Sequence, residues 1–125
     1  MDSAEHSQLP LSMPHRRSEM VLYLHEMASS DPRTLWSAQR EKGLAAGIDE
    51  VFHFFFDDND LDETDIGVTL LNHTEVAAIQ HLKAALEIVL GSVGNGDDIA
   101  FTGHPMWQQV SAAASNALEQ LAAQP

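Results

Sequence analysis

The densest run of reactive side chains is Asp57-Asp58-Asn59-Asp60-Leu61-Asp62-Glu63-Thr64-Asp65, six acids in nine residues with no base among them. Carboxylates at this density suggest a hard cation, and Asp58, Asp60 and Asp62 occupy the first three ligand positions of a calcium-binding loop. The pattern then fails. Glu63 stands where the sharp turn requires Gly, and Thr69 where a bidentate Glu should close the site. No metal and no cofactor are therefore expected. The chemistry left to these residues is recognition. Mutually repelling acids with turn-forming Asp and Asn make an exposed loop, and such a loop offers a basic partner a complementary surface. Asp57, Asp58, Asp60, Asp62, Glu63 and Asp65 are accordingly the candidate partner-binding residues.

Other constellations are weaker. Of the seven histidines, His15, His25, His53, His73 and His81 form no pair at the four-residue spacing of zinc-binding helices. His53 and Asp57 do have that spacing, but a lone His/Asp pair is weak evidence of a metal site, and His53 reads as a surface or core histidine making ordinary hydrogen bonds. No Gly-x-Ser-x-Gly elbow presents a serine nucleophile. Gly91-Ser92-Val93-Gly94-Asn95-Gly96 is rich in glycine but lacks the Lys-Ser/Thr ending of a phosphate loop, and Asp97 and Asp98 beside it would repel phosphate. Carboxylates can be paired on paper, yet solvated acids lack the burial that tunes a pKa for acid–base work. A catalytic role is not expected.

Charge narrows the classes of partner. The formal net charge is −13, and it is unevenly placed: residues 1–42 carry six acids and five bases, residues 43–125 thirteen acids and one base, Lys83. Such a field repels nucleic-acid backbones and anionic membranes and attracts basic proteins or cations. With no cysteine, there is neither a disulfide framework nor a thiolate. The N-terminus is acidic and has no secretory pattern, and no uninterrupted apolar run approaches the ~20 residues of a membrane span. A soluble, cytoplasmic protein is the expectation.

These side chains must be positioned by helices. At 125 residues the chain suits one domain that removes roughly two-thirds of its unfolded surface from water. Residues 1–11 show no period and read as a flexible tail, leaving 12–125 as a single helical domain. A first helix is expected near Ser12 to Pro14, with Ser12 as cap and Met20, Val21, Leu24, Met27 and Ala28 on its buried face. Asp31-Pro32 restarts a short helix through Leu35, Trp36 and Gln39, ending near Gly43 or Gly47. The aromatic segment Ile48–Phe56 fits either a strand or a helical face, and we read it as helix. Ile66–Leu71 is expected to be extended. Asn72, with Glu75 at capping-box spacing, opens a helix carrying Ile79, Leu82, Leu86, Val89 and Val93, stopped by Gly91, Gly94 and Gly96. A last helix from His104-Pro105 carries Trp107, Val110, Ala114, Ala117 and Leu121. The sum is an all-α, single-domain four- or five-helix bundle.

The aromatic run Val51–Phe56 leading into Asp57-Asp58, the Ile66-Gly67 step, the helix from Val76 and the Pro105-x-Trp107-x-x-Val110 helix start together resemble a family of small acidic bacterial proteins of unknown function. That resemblance spans roughly residues 20 to 121 and implies no catalytic residues. In size, acidity and lack of catalytic features the chain is also similar in type to bacterial immunity proteins, which neutralise toxin domains by binding them. The expected function is thus an immunity protein or antitoxin-like inhibitor acting on a basic toxin domain. The alternative is a regulatory or scaffolding module that binds a protein through an apolar helix groove.

Overall fold

The computed structural model describes residues 11–122. The tail expected over residues 1–11 lies outside them, apart from Leu11, which is half-buried. The described chain is one all-α domain with no strand. Its six α-helices are α1 (Pro14–Ala28), α2 (Pro32–Glu41), α3 (Ile48–Phe52), α4 (His73–Val93), α5 (Asp98–Thr102) and α6 (Trp107–Ala122). A π-helical turn, His53–Asp58, continues α3, and a 3-10 turn covers Glu63–Asp65.

The three long helices make the core, with α6 packed against both α4 and α1. Residues three and four apart face the same way on a helix, so the apolar spacing seen in the sequence becomes a buried seam. Met20, Leu24 and Met27 come from α1, Ile79, Leu82, Leu86 and Val89 from α4, and Trp107, Val110, Ala114, Ala117 and Leu121 from α6. The small Ala113, Ala114 and Ala117 side chains keep the buried face of α6 thin. Among the described residues, α4 is long and apolar enough, with a mean hydropathy of 1.4 over its most apolar stretch, to suit a bilayer crossing as well, but its apolar seam here packs on α6.

Helix ends follow local chemistry, with some departures from expectation. Asp31 caps α2, its carboxylate accepting from the Thr34 N–H at 3.4 Å and from the Thr34 Oγ1 hydroxyl at 2.5 Å, with Pro32 in the first turn. Asn72 caps α4 by accepting from the Glu75 N–H at 3.0 Å. Ser12 is not the cap of α1: Met13 holds that position without a side-chain bond, while the Ser12 and Met13 N–H groups donate to the Gly67 and Val68 carbonyls at 3.0 Å. Gly43, at φ 84°, closes α2, with Leu44 N–H donating to Gln39 O and Gly43 N–H to Arg40 O. Gly91 does not stop α4; the helix runs to Val93 and ends on Gly94, at φ 70°. The last helix starts at Trp107, after a turn in which the Met106 N–H donates to His104 Nδ1 at 3.0 Å. Ile66–Leu71 is no strand but a tight turn closed by a single bridge between Ile66 and Leu70. Helix α5 was not foreseen. Asp97 caps it by accepting from Ala100 N–H at 3.0 Å, a role that its charge in a glycine-rich stretch had hidden.

Two buried carboxylates tie the helices together. Glu26 accepts from Trp36 Nε1 at 2.8 Å and Gln39 Nε2 at 2.6 Å, fixing α2 on α1. Glu75 is fully buried and receives a fork from Arg17 at 2.8 and 2.9 Å, plus the Leu71 N–H at 2.8 Å. Arg17 Nη1 also donates to the Thr69 carbonyl at 3.1 Å. Removing one partner of a buried ion pair leaves the other charged and desolvated, at a cost of about 3–5 kcal/mol. Arg17→Ala is therefore expected to lower urea-unfolding stability by about 3 kcal/mol. A midpoint equal to that of the parent protein would show that Glu75 finds its donors elsewhere.

Candidate functional site

The aromatic segment divides by face. Phe54 and Phe55 turn inward against Tyr23 of α1, with ring centroids 5.1 and 6.2 Å from it and 5.0 Å from each other. Phe52 and Phe56, four residues apart, lie 5.8 Å from each other on the other side, and Phe52 is 5.4 Å from Phe101 of α5. Offset and tilted ring pairs of this kind are worth about 0.5–1.5 kcal/mol beyond their buried area. The wider π turn lets one short segment serve both clusters, and π turns recur at functional sites.

The turn is terminated by side chains, not by a glycine. Asn59 is buried and donates from Nδ2 to the Phe54 carbonyl at 2.8 Å. Leu61, fully buried, takes a left-handed backbone at φ 55°, which is costly for a branched side chain. Three groups hold it there. Its N–H donates to Asp65 Oδ2 at 2.6 Å, its carbonyl accepts from Gln80 Nε2 at 2.9 Å, and Lys83 Nζ donates to the neighbouring Asp60 carbonyl at 2.7 Å.

The expected acidic loop is therefore an ordered ridge whose six acids do different things. Asp65 fixes Leu61, and Asp62 accepts from Thr64 Oγ1 at 2.5 Å and from its N–H at 2.9 Å. These hydrogen bonds, the hydroxyl's foremost, hold the Asp62 carboxyl below its usual range. Asp57, Asp58, Asp60 and Glu63 are exposed. Asp57 Oδ2 lies 2.7 Å from His53 Nδ1, and Glu63 lies 3.8 Å from His73 Nδ1 in a long surface contact. Among the described residues no three His, Asp or Glu side chains converge as metal ligands.

A groove of about 520 Å³ opens beside the ridge, a size typical of ligand sites. Phe52, Phe56 and Phe101 floor it, and Asp49, Asp57 and Glu87 stand at its edge, with Leu90 and the Gly94–Gly96 turn along one side. Among the described residues, neither lysine nor arginine lines it. Of the six acids expected to bind a partner, Asp57 alone lines this groove, together with His53, its hydrogen-bond partner; Asp49 and Glu87 were hidden among ordinary helix-surface acids. The groove exists because α5 is pinned. Asp98 accepts from Ile48 N–H at 2.9 Å and from Arg40 Nη1 at 3.0 Å, while Arg40 Nη1 also donates to the Ala46 carbonyl at 2.9 Å. Gly47, at φ 129°, lies within this knot, where a Cβ would come within 2.9 Å of Arg40 Nη1.

Residues 11–125 match the family described as Domain of unknown function (DUF7945). The chain belongs to this family. That description attaches no activity to the fold, so the groove and ridge are read from their own chemistry. No curated protein and no solved structure matches the chain.

Negative charge leaves its mark on neighbouring groups. Burial, then Glu19, Glu50, Glu26 and Asp58, pushes the Tyr23 hydroxyl up to about 12. Lys83 Nζ sits 5.1 Å from the Phe56 ring centroid; burial pushes its pKa down, against the opposing pull of Asp60, Glu87, Asp62 and Asp65.

Tyr23 is the only tyrosine, so its phenolate is readable by absorbance. It should titrate near 12 in the folded protein and near ~10 in urea. Because the folded pKa is the higher, the associated stability is intact below pH ~10 and is lost as pH rises toward 12. Native titration near ~10 would place Tyr23 in open solvent. The ridge acids should also separate by role. Asp65→Ala should cost about 1.5–3 kcal/mol, as loss of a charged hydrogen bond does, whereas Asp58→Asn and Glu63→Gln should each stay within about 0.5 kcal/mol. Equal denaturant midpoints for all three would mean that Asp65 does not hold Leu61.

Proposed function

We propose that the protein is an inhibitor of the immunity or antitoxin type, which binds a basic protein partner, a cognate toxin domain, and blocks its working surface. The reading rests on one observation: an ordered ridge that exposes Asp57, Asp58, Asp60 and Glu63 in a region with thirteen acids and one base. Toxin domains that act on nucleic acids or nucleotides present basic clefts, and a fixed acidic surface meets such a cleft with less ordering cost than a mobile loop would. Charge of this sign also accelerates encounter. The partner is a protein and not a nucleic acid or an anionic membrane, both of which the field repels. Cytoplasmic action is part of the proposal.

A second reading, a regulatory or scaffolding module that uses an apolar groove, is favoured by the aromatic floor beside the ridge. The two readings differ in their dependence on salt. Asp58→Asn, Asp60→Asn and Glu63→Gln combined leave Asp62, Asp65 and the groove untouched. After co-purification of the partner from the native host, this variant should associate about tenfold more slowly at low ionic strength, with a flattened salt dependence and an unchanged denaturant midpoint. Association as fast as the parent's at every salt concentration would remove the ridge from recognition and leave the module reading in its place.

A further inference from the structure

We infer that the groove floored by Phe52, Phe56 and Phe101 and edged by Asp49, Asp57 and Glu87 receives an arginine side chain of the protein partner. This rests on the basic-partner reading above and names the anchor through which it works. The composition of the groove carries the inference. The half-buried, mutually tilted rings of Phe52 and Phe56, backed by the nearly buried Phe101, offer electron-rich faces, and three carboxylates from α3, the π turn and α4 outnumber the single imidazole of His53, which Asp57 already holds at 2.7 Å.

Other occupants fit less well. A neutral apolar side chain would cover the rings but strip water from carboxylates and give them nothing in return. An anion meets like charge on three sides. A bare metal ion would need converging ligands, and among the described residues no three acids or histidines converge. The occupant must carry positive charge and also have an apolar face.

Lysine and arginine both meet that description in part, and Lys83 shows the attraction within the chain. The single base of residues 43–125 places its ammonium 5.1 Å from the centroid of Phe56, one of the rings of the groove floor. It is outside the groove lining, so the groove remains open to a cation from elsewhere. Arginine suits it better. A guanidinium stacks its planar face on a ring while its N–H groups donate outward in its own plane to carboxylates around it, and it is less strongly hydrated than an ammonium. Its aliphatic stem can lie along Leu90, a 39 % exposed apolar side chain on the groove wall. Buried arginines in pockets of this kind commonly dominate interface energetics, which would make the groove the anchor and the ridge the attracting field.

The test uses the full chain and three short blocked peptides, Gly-Arg-Gly, Gly-Lys-Gly and Gly-citrulline-Gly, titrated while backbone amide NMR shifts are followed. The arginine peptide should move the amides of Phe52 to Asp57 and Gly94 to Gly96, and bind about tenfold more tightly than the citrulline peptide, which keeps the shape without the charge. The lysine peptide should fall between them. Asp49→Asn and Glu87→Gln, both outside the His53–Asp57 bond, should each weaken arginine binding about threefold without moving the thermal midpoint. Phe52→Leu, which keeps apolar volume but removes a ring, should narrow the gap between arginine and citrulline. Equal binding of arginine and citrulline would overturn the inference, as would shifts confined to Asp58–Asp65. The latter result would leave the basic-partner reading standing, because charge attraction would persist without the groove. That reading fails separately, through salt-independent association of the ridge variant.

Discussion

A chain with a net charge of −13 can place a carboxylate in its core only by surrounding it with donors, and the fold depends on how this is done at Glu75. The Arg17 fork and the Leu71 N–H satisfy it where the start of α4 meets α1 and the turn at Thr69. With α4 set in this way, its seam meets α6, and α6 in turn covers α1. The outer face of α4 then carries Gln80, Lys83 and Glu87, which hold the ridge and line the groove. One internal ion pair therefore sets the position of the acidic ridge and of the groove beside it. Its value is positional. A hydrophobic pair of the same volume could stabilise as well, but it would not fix α1 against the turn at Thr69.

Ridge and groove are parts of one device. Phe54 and Phe55 of the π turn pack into the core, while Phe52, at the end of α3, and Phe56 line the groove, so the rings that anchor the segment and two of the rings of the groove lie in one short stretch of sequence. The strained backbone at Leu61 turns the chain back along α4, which gives the acids a fixed direction. Strain at a surface turn persists only where its surroundings overdetermine it, and here Asp65, Gln80 and Lys83 do so.

Much of this was legible in the sequence. The periodic helices, the caps at Asp31 and Asn72 and the helical reading of Ile48–Phe56 follow from spacing and local hydrogen bonding, which a single chain encodes directly. What escaped depends on contacts between distant residues. Nothing near Asp98 says that it caps α3, fifty residues earlier. Asp62 and Asp65 look like their neighbours in sequence, and only the backbone they bind separates them from Asp58 and Glu63. A π turn has no local signature distinct from an α-helix, so the division of the four phenylalanines could not be read. The groove acids Asp49 and Glu87 carry no mark beyond ordinary helix-surface charge.

The knot of Arg40, Gly47 and Asp98 has a consequence for how this protein can change over generations. A side chain at position 47 would displace the Arg40 guanidinium; loss of Arg40 leaves Asp98 with only the Ile48 N–H; loss of Asp98 frees α5 and with it Phe101. Each of the three is the reason for keeping the other two. Leu44 and Ala45, exposed in the same connection, are under no such constraint and are free to drift. Selection on the groove should therefore be recorded not only in the residues that line it but also in a trio behind it, inherited as a single character.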